Sequence, residues 1–133
     1  MLKDKYEFKD LLDIMELLRS ENGCPWDREQ THDSLKKYLI EETYEVLEAI
    51  DLKDKNKIAK ELGDLLLQIV FHSQIGKEEG TFDISDVITS VSRKMILRHT
   101  HVFADDKANT ADDVVNNWES IKKKEKGLTD QTS

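Results

Sequence analysis

Breakers of regular structure are scarce in this chain: its 133 residues include one proline and five glycines. A chain so poor in both runs on into long helices wherever its apolar residues keep a helical period. They do so in "YEFKDLLDIMELLRSE", with Phe8, Leu11, Leu12, Met15 and Leu18 on one face. "NGCPWD" ends that run, because Asn22 and Gly23 suit a helix C-terminus and Pro25 cannot continue one. The spacing predicts a second helix from about Asp33 to Ile50, with Thr31 or Asp33 as its cap. A third runs from about Asn56 to Lys77, the longest and most apolar, and spans about 33 Å. A fourth runs from about Ser85 to Arg98, and a last from about Asp112 to Lys126 after a Thr110 cap. "HTHVFADDKANT" is expected to be an ordering or functional loop, and "GLTDQTS" a flexible tail. No strand alternation, hairpin dipeptide or internal repeat competes with this pattern. The expected fold is all-α, an antiparallel bundle of about five helices with a four-helix core. One domain would cover residues 1–126, followed by a tail at 127–133.

The helical pattern is broken in one chemically specific way. In "IEETYEVLEAI" the apolar seam Leu39, Val46, Ala49 is interrupted by Glu42, with Glu45 one turn on and Glu41 beside it. In "KELGDLLLQIVF" the seam Ile58, Leu65, Gln68, His72 is interrupted by Glu61, with Asp64 at i+3. Each helix therefore offers an ExxE or ExxD pair toward the interior, and antiparallel packing would make the pairs converge. Convergent carboxylates in a partly dry site repel strongly and are costly to bury unpaired. Protonation or a divalent cation would relieve them. An oxygen-only donor set suits Mg²⁺ or Mn²⁺. Zinc prefers nitrogen and sulfur donors, and a di-iron bundle requires Glu-x-x-His on two helices. Two such pairs on successive helices favour a metal site over a solvated acidic face with surface pairs such as Lys60–Asp64. Gly63, between Glu61 and Asp64, costs helix stability and is expected where a neighbouring helix or a ligand comes close.

The charge balance, 20 basic against 28 acidic residues for a net charge of -8, argues against binding a nucleic-acid polymer through its backbone. Local cations still allow a phosphorylated small molecule. Lys57 lies one turn before Glu61. Lys94 and Arg98 form an i, i+4 pair, as do Trp118 and Lys122, so an indole able to stack on a base stands beside a phosphate-seeking ammonium. Taken singly, each has a plainer reading: a surface lysine, an arginine at a helix C-terminus, a core tryptophan. His99 and His101 read as structural hydrogen-bonders and Trp26 as a turn anchor. The lone Cys24 allows no intramolecular disulfide. No stretch is apolar enough to span a bilayer, and "MLKDKYEFKD" lacks a signal-peptide core. The expectation is a soluble, cytoplasmic protein.

In order, "ENGCPWDREQTHDSL", "IEETYEVLEAI", "ELGDLLLQIVFHSQI", "RHTHVFAD" and "NWESIKKKEK" resemble the blocks of a MazG-type nucleoside triphosphate pyrophosphohydrolase, over about Phe8 to Lys126. The EExxE…ExxD pattern marks the wider all-α superfamily, which includes dUTPase-like enzymes. The GCPWD and RHxHVF blocks are the MazG-like ones. Thr100 stands where relatives often carry proline, and Leu97 where a second basic residue is frequent. The resemblance implies Mg²⁺ held by Glu42, Glu45, Glu61 and Asp64, with Glu41 orienting or deprotonating water. It implies substrate contacts from Lys57, Lys94, Arg98, Trp118 and Lys122, and a homodimer or higher homo-oligomer joined through helix faces. The reaction would cut nucleoside triphosphates at the α-phosphorus into monophosphate and pyrophosphate, clearing the nucleotide pool. A dUTPase-like relative with narrow base preference and a non-catalytic helical metal-binding module are the alternatives.

Overall fold

The computed structural model describes residues 2–104 and 109–132, without the side chains of 127–132. Seven helices and no strands are found among the described residues: α1 (Phe8–Leu18), α2 (Pro25–Glu29), α3 (His32–Asp51), α4 (Lys55–Glu79), α5 (Ile84–Arg98), α6 (Thr100–Phe103) and α7 (Ala111–Thr132). The chain divides into two compact units, residues 1–84 and 85–133.

Local chemistry explains the boundaries in the first unit. The Glu7 backbone N–H donates to Asp10 Oδ2 at 2.7 Å at the start of α1. Thr31 and Ser34 exchange side-chain and backbone hydrogen bonds at 3.1 and 2.8 Å, a capping pair that starts α3. The Asp54 carboxylate accepts from the Lys57 N–H at 3.2 Å and starts α4. Gly80, at φ 72°, ends α4, with Thr81 N–H donating to Gly76 O at 3.0 Å and Gly80 N–H to Lys77 O at 3.2 Å. That is the Schellman arrangement, and its left-handed residue suits glycine.

Three helices, α1, α3 and α4, build the core of this unit. Met15, Leu35, Val70, Phe71 and Ile75 are buried together, flanked by Leu11, Leu12, Tyr38 and Leu67. Arg19, at the end of α1, grips Glu78 of α4 through two nitrogens at 2.8 Å. Its Nη1 donates to the carbonyls of Asp27 and Gln30 at 2.6 and 3.1 Å. This staple fixes the segment carrying α2, where Trp26 meets Tyr38 and Phe71 edge-on at 5.9 and 6.5 Å.

The differences from the sequence reading lie at breakers. Pro25 does not merely stop a helix. It opens the short α2 at N1, where its missing N–H costs nothing. In the second unit, part of the expected 99–110 loop is the single-turn α6, while residues 105–108 lie outside the described residues. α7 continues to Thr132, past Lys126.

Gly76 has no room for a side chain where α4 packs against Phe82. A Cβ there would lie 2.7 Å from both the Phe82 ring and the Phe82 carbonyl oxygen. Gly76→Ala is expected to lower stability by about 1–3 kcal/mol, read as a lower urea midpoint with an unchanged m-value. An unchanged midpoint would contradict the packing described.

Candidate metal centre

α3 and α4 are joined by a tight turn in which Lys53 takes a left-handed backbone at φ 56°, and they run antiparallel in one register. Three contacts mark it. His32 near the start of α3 meets His72 of α4 at 2.8 Å. Glu42 meets Glu61 and Asp64. Glu48 lies 4.0 Å from Lys57. Ascending α3 is thus matched by descending α4. The seams read from the sequence face each other: Leu35, Val46 and Ala49 are buried from one side, Glu61, Gln68 and Val70 from the other.

At the middle rung Glu42, Glu61 and Asp64 each place one carboxylate oxygen within 4.8 Å of the others. Glu61 is only 6% exposed. Glu42 Oε2 is fully buried and has no hydrogen-bond partner. Burial, followed by the charges of Asp64, Glu61, Glu45 and Glu41, pushes the Glu42 carboxyl above the ordinary carboxylate range. Among the described residues no lysine or arginine forms an ion pair with any of the three, and the Lys60–Asp64 surface pair is not made. A solvated acidic face does not look like this. Three oxygen donors, one of them orphaned and buried, are the donor set that fits a hard divalent cation. Glu-x-x-His spacing occurs once, from Glu29 to His32, and falls across the break between α2 and α3, so the cluster lacks the helix-borne pairs of a di-iron bundle.

The other expected site residues are placed as follows. Glu41 and Glu45 lie on α3 and are exposed. Neither is within the 4.8 Å group, yet both charges act on Glu42. Lys57 is one turn before Glu61 on α4, half-buried, with its ammonium toward Glu48. A Cβ on Gly63 would meet nothing within 4 Å, so no neighbouring helix of the described residues explains that glycine.

In the second unit, Arg98, Trp118 and Lys122 line one pocket together with Met95 and His99. Arg98 holds Glu125 at 2.9 Å, while its Nε and the Trp118 indole N–H are buried without partners. His99 donates from Nδ1 to Met95 O at 2.7 Å and packs edge-on against Trp118 at 5.2 Å. Lys94 is exposed on α5, and its charge reaches Glu125.

Sequence reasoning did not find the His32–His72 contact, the Arg19–Glu78 staple or the orphaned Gln68 Oε1. The one available signal was His72 and Gln68 lying on the same seam as Glu61.

Residues 30–103 match the MazG nucleotide pyrophosphohydrolase domain family. The chain is 54% identical over 120 residues to the nucleoside triphosphate pyrophosphohydrolase/pyrophosphatase MazG of Thermotoga maritima, covering 90% of this chain and 46% of that protein. It is 49% identical over 124 residues to the Escherichia coli K12 nucleoside triphosphate pyrophosphohydrolase, covering 92% of this chain and 47% of that one. It is 53% identical over 127 residues to the uncharacterized Bacillus subtilis protein YabN, covering 96% of this chain and 26% of that one. The chain thus spans about half, or less, of the length of these relatives. Its fold resembles the crystal structure of a mazG-related protein from Thermotoga maritima, with a TM-score of 0.72, 27% identity, and coverage of 86% of this chain and 98% of the other. By the matched family and by the carboxylates that α3 and α4 bring together within it, the chain belongs to the MazG nucleotide pyrophosphohydrolase domain family.

Proposed function

We propose that this chain hydrolyses nucleoside triphosphates, ribo- or deoxyribo-, at the α-phosphorus, releasing a nucleoside monophosphate and pyrophosphate. The cofactor would be Mg²⁺, with Mn²⁺ able to replace it. The observation that carries the reading is the partnerless carboxylate cluster of Glu42, Glu61 and Asp64. It falls within the family match, and two relatives are named for this activity.

In this reading Glu42, Glu61 and Asp64 hold the metal, with Glu45 completing the set from the next turn of α3. A divalent cation bound there would supply Lewis-acid chemistry to the triphosphate and ease deprotonation of water. Glu41, exposed beside Glu42, is assigned to orient the attacking water and take its proton. Lys57 leans on Glu48 rather than on the acidic cluster, so its ammonium is available to a phosphate that displaces that loose contact. Lys94, Arg98 and Lys122 are assigned to phosphate oxygens, where fixed cations stabilise developing charge. Trp118 is assigned to the base. The buried, unpaired Arg98 Nε and Trp118 indole N–H are donors still seeking an acceptor. Residues 1–126 would act as one catalytic domain, in the cytoplasm, limiting the nucleotide pool. No helix among the described residues is long and apolar enough to cross a membrane.

The same reading includes a homodimer. Ile40, Tyr44 and Leu47 of α3 are at least half exposed, and with Leu39 and Thr43 they line an apolar groove. Leu62, Leu66 and Ile69 of α4 are also exposed. Contiguous apolar rows on two helices suit burial against a second copy.

Two measurements test these assignments. Glu42→Gln and Glu61→Gln should each cut triphosphate turnover by at least about 100-fold while the helical circular dichroism is unchanged. Wild-type turnover in either variant would refute the ligand assignment. Sedimentation equilibrium should return a dimer for the wild type and a monomer for Leu47→Glu. A monomeric wild type would refute the interface.

A further inference from the structure

His32 and His72 form a contact that the proposed chemistry does not use. Their Nδ1 atoms are 2.8 Å apart. The ring planes differ by 1° and the ring centres lie 5.1 Å apart. The centres are farther apart than the nitrogens by about the width of one ring, so the imidazoles lie edge to edge in one plane, nitrogen facing nitrogen. A cation held in line between two imidazole nitrogens would need about 4 Å between them. The contact is therefore an N–H···N hydrogen bond, with one nitrogen donating and the other accepting.

The surroundings favour one assignment. Glu79 Oε2 lies 3.6 Å from His32 Nε2, longer than a hydrogen bond, and its charge favours an N–H on that nitrogen. His32 then carries its proton on Nε2 and accepts at Nδ1, while His72 donates from Nδ1. His72 Nε2 is left as a bare lone pair, and it is the buried atom without a partner. The opposite assignment would place a bare nitrogen against the carboxylate and an unpaired N–H in the interior.

We propose that this pair is a proton-operated latch: one shared proton ties the first turn of α3 to α4, and uptake of a further proton opens it. An added proton has two destinations. On His72 Nε2 it is buried with no acceptor among the described residues. On His32 Nδ1 it sets two N–H groups head to head, unless His72 moves its own proton to that same buried Nε2. Both routes break the bond or bury an unpaired charged donor. Burial and the charge of His32 accordingly hold the His72 pKa below the ordinary histidine range.

Other charges around the pair do not offset this. Asp33, beside His32 on α3, is held by Lys36 at 2.9 Å. Glu78 of α4 is held by Arg19 of α1, and Lys77 of α4 lies 3.6 Å from Glu16 of α1. From the turn after α4, Phe82 closes on His32 with an uncharged ring at 5.9 Å, and Asp83 has a partner of its own. Among the described residues that leaves Glu79, which contacts the half-exposed His32 rather than the buried edge of His72. The latch lies on the same two helices as the carboxylate cluster, at the open end of the α3–α4 hairpin, so it sets the register in which the acids meet.

The sign follows from the lowered pKa. Unfolded chains take up the proton near pH 6.5 and the folded chain resists it, so stability is full above that pH and falls as the pH drops below it. His72→Asn is the discriminating variant. Its side-chain amide offers an N–H close to the position of Nδ1–H and does not titrate. Metal-free wild type should lose about 4 °C more in Tm than His72→Asn between about pH 7.5 and about pH 5.5. Parallel pH–Tm curves would overturn the latch. Independently of any variant, ¹⁵N spectra of the wild-type imidazoles near neutral pH should show His32 protonated at Nε2 and His72 at Nδ1. A His72 protonated at Nε2 would overturn it too. Neither readout involves nucleotide or metal, so the latch stands or falls apart from the pyrophosphohydrolase reading.

Discussion

Mutual repulsion among Glu42, Glu61 and Asp64 is the constraint around which the first unit is organised. Three carboxylates drawn into one half-dry spot without a cation raise the energy of the folded chain: burial first, and the neighbouring charges after it, push the Glu42 carboxyl above the ordinary range. What holds them together lies on either side along the same hairpin. Toward one end Leu35, Val70, Phe71 and Ile75 bury an apolar core against Met15, and the imidazole pair closes the rung beyond. Toward the other, Val46 and Ala49 are buried near the turn. The apolar seam supplies the force that holds the carboxylates together against their repulsion. Such local strain against an otherwise consistent fold is the common signature of a functional site.

The architecture explains why α1 and α2 are needed at all. A two-helix hairpin carrying acids on its inner face would splay apart. α1 covers the upper half of α4 with Met15, and its last residue, Arg19, sends one guanidinium to Glu78 and to two carbonyls of the following segment. That single side chain, 8% exposed, ties the end of α1, the α2 segment and the end of α4 together. Because each of its three guanidinium nitrogens donates to an acceptor, its partly buried ion pair avoids the unpaired charge that makes such pairs costly.

Much of this was legible in the sequence, and the reason is periodicity. The 3–4 spacing of apolar residues placed α3, α4 and α5 to within a residue or two and found the apolar face of α1, whose run was read on to Glu21 although the helix ends at Leu18, and Thr31 read as a cap because its hydroxyl has one obvious use. The break of two seams by Glu42 and by Glu61 with Asp64 was visible for the same reason: a carboxylate out of phase with solvent stands out in a helical repeat. Short helices were not legible. α2 and α6 are too short to show a period, and Pro25 carries the same letter whether it ends a helix or opens one. Nor could spacing show that Glu45 lies outside the group that Glu42 joins, since residues three apart share a face only loosely. The His32–His72 pair joins residues forty apart and depends on the hairpin register, which no local pattern encodes.

The central claim is that a divalent cation relieves the carboxylate cluster. It is tested most directly by thermal unfolding of the wild type and Glu42→Gln, each in EDTA and in saturating Mg²⁺ at neutral pH. Without metal, the neutral amide removes a repelling charge, and Glu42→Gln should melt higher than the wild type by about 2–5 °C. With Mg²⁺ the wild type should gain about 2.7 kcal/mol at one hundred times its dissociation constant and overtake a variant that has lost a ligand. A wild type that melts higher in EDTA, or that Mg²⁺ leaves unshifted, would contradict the account.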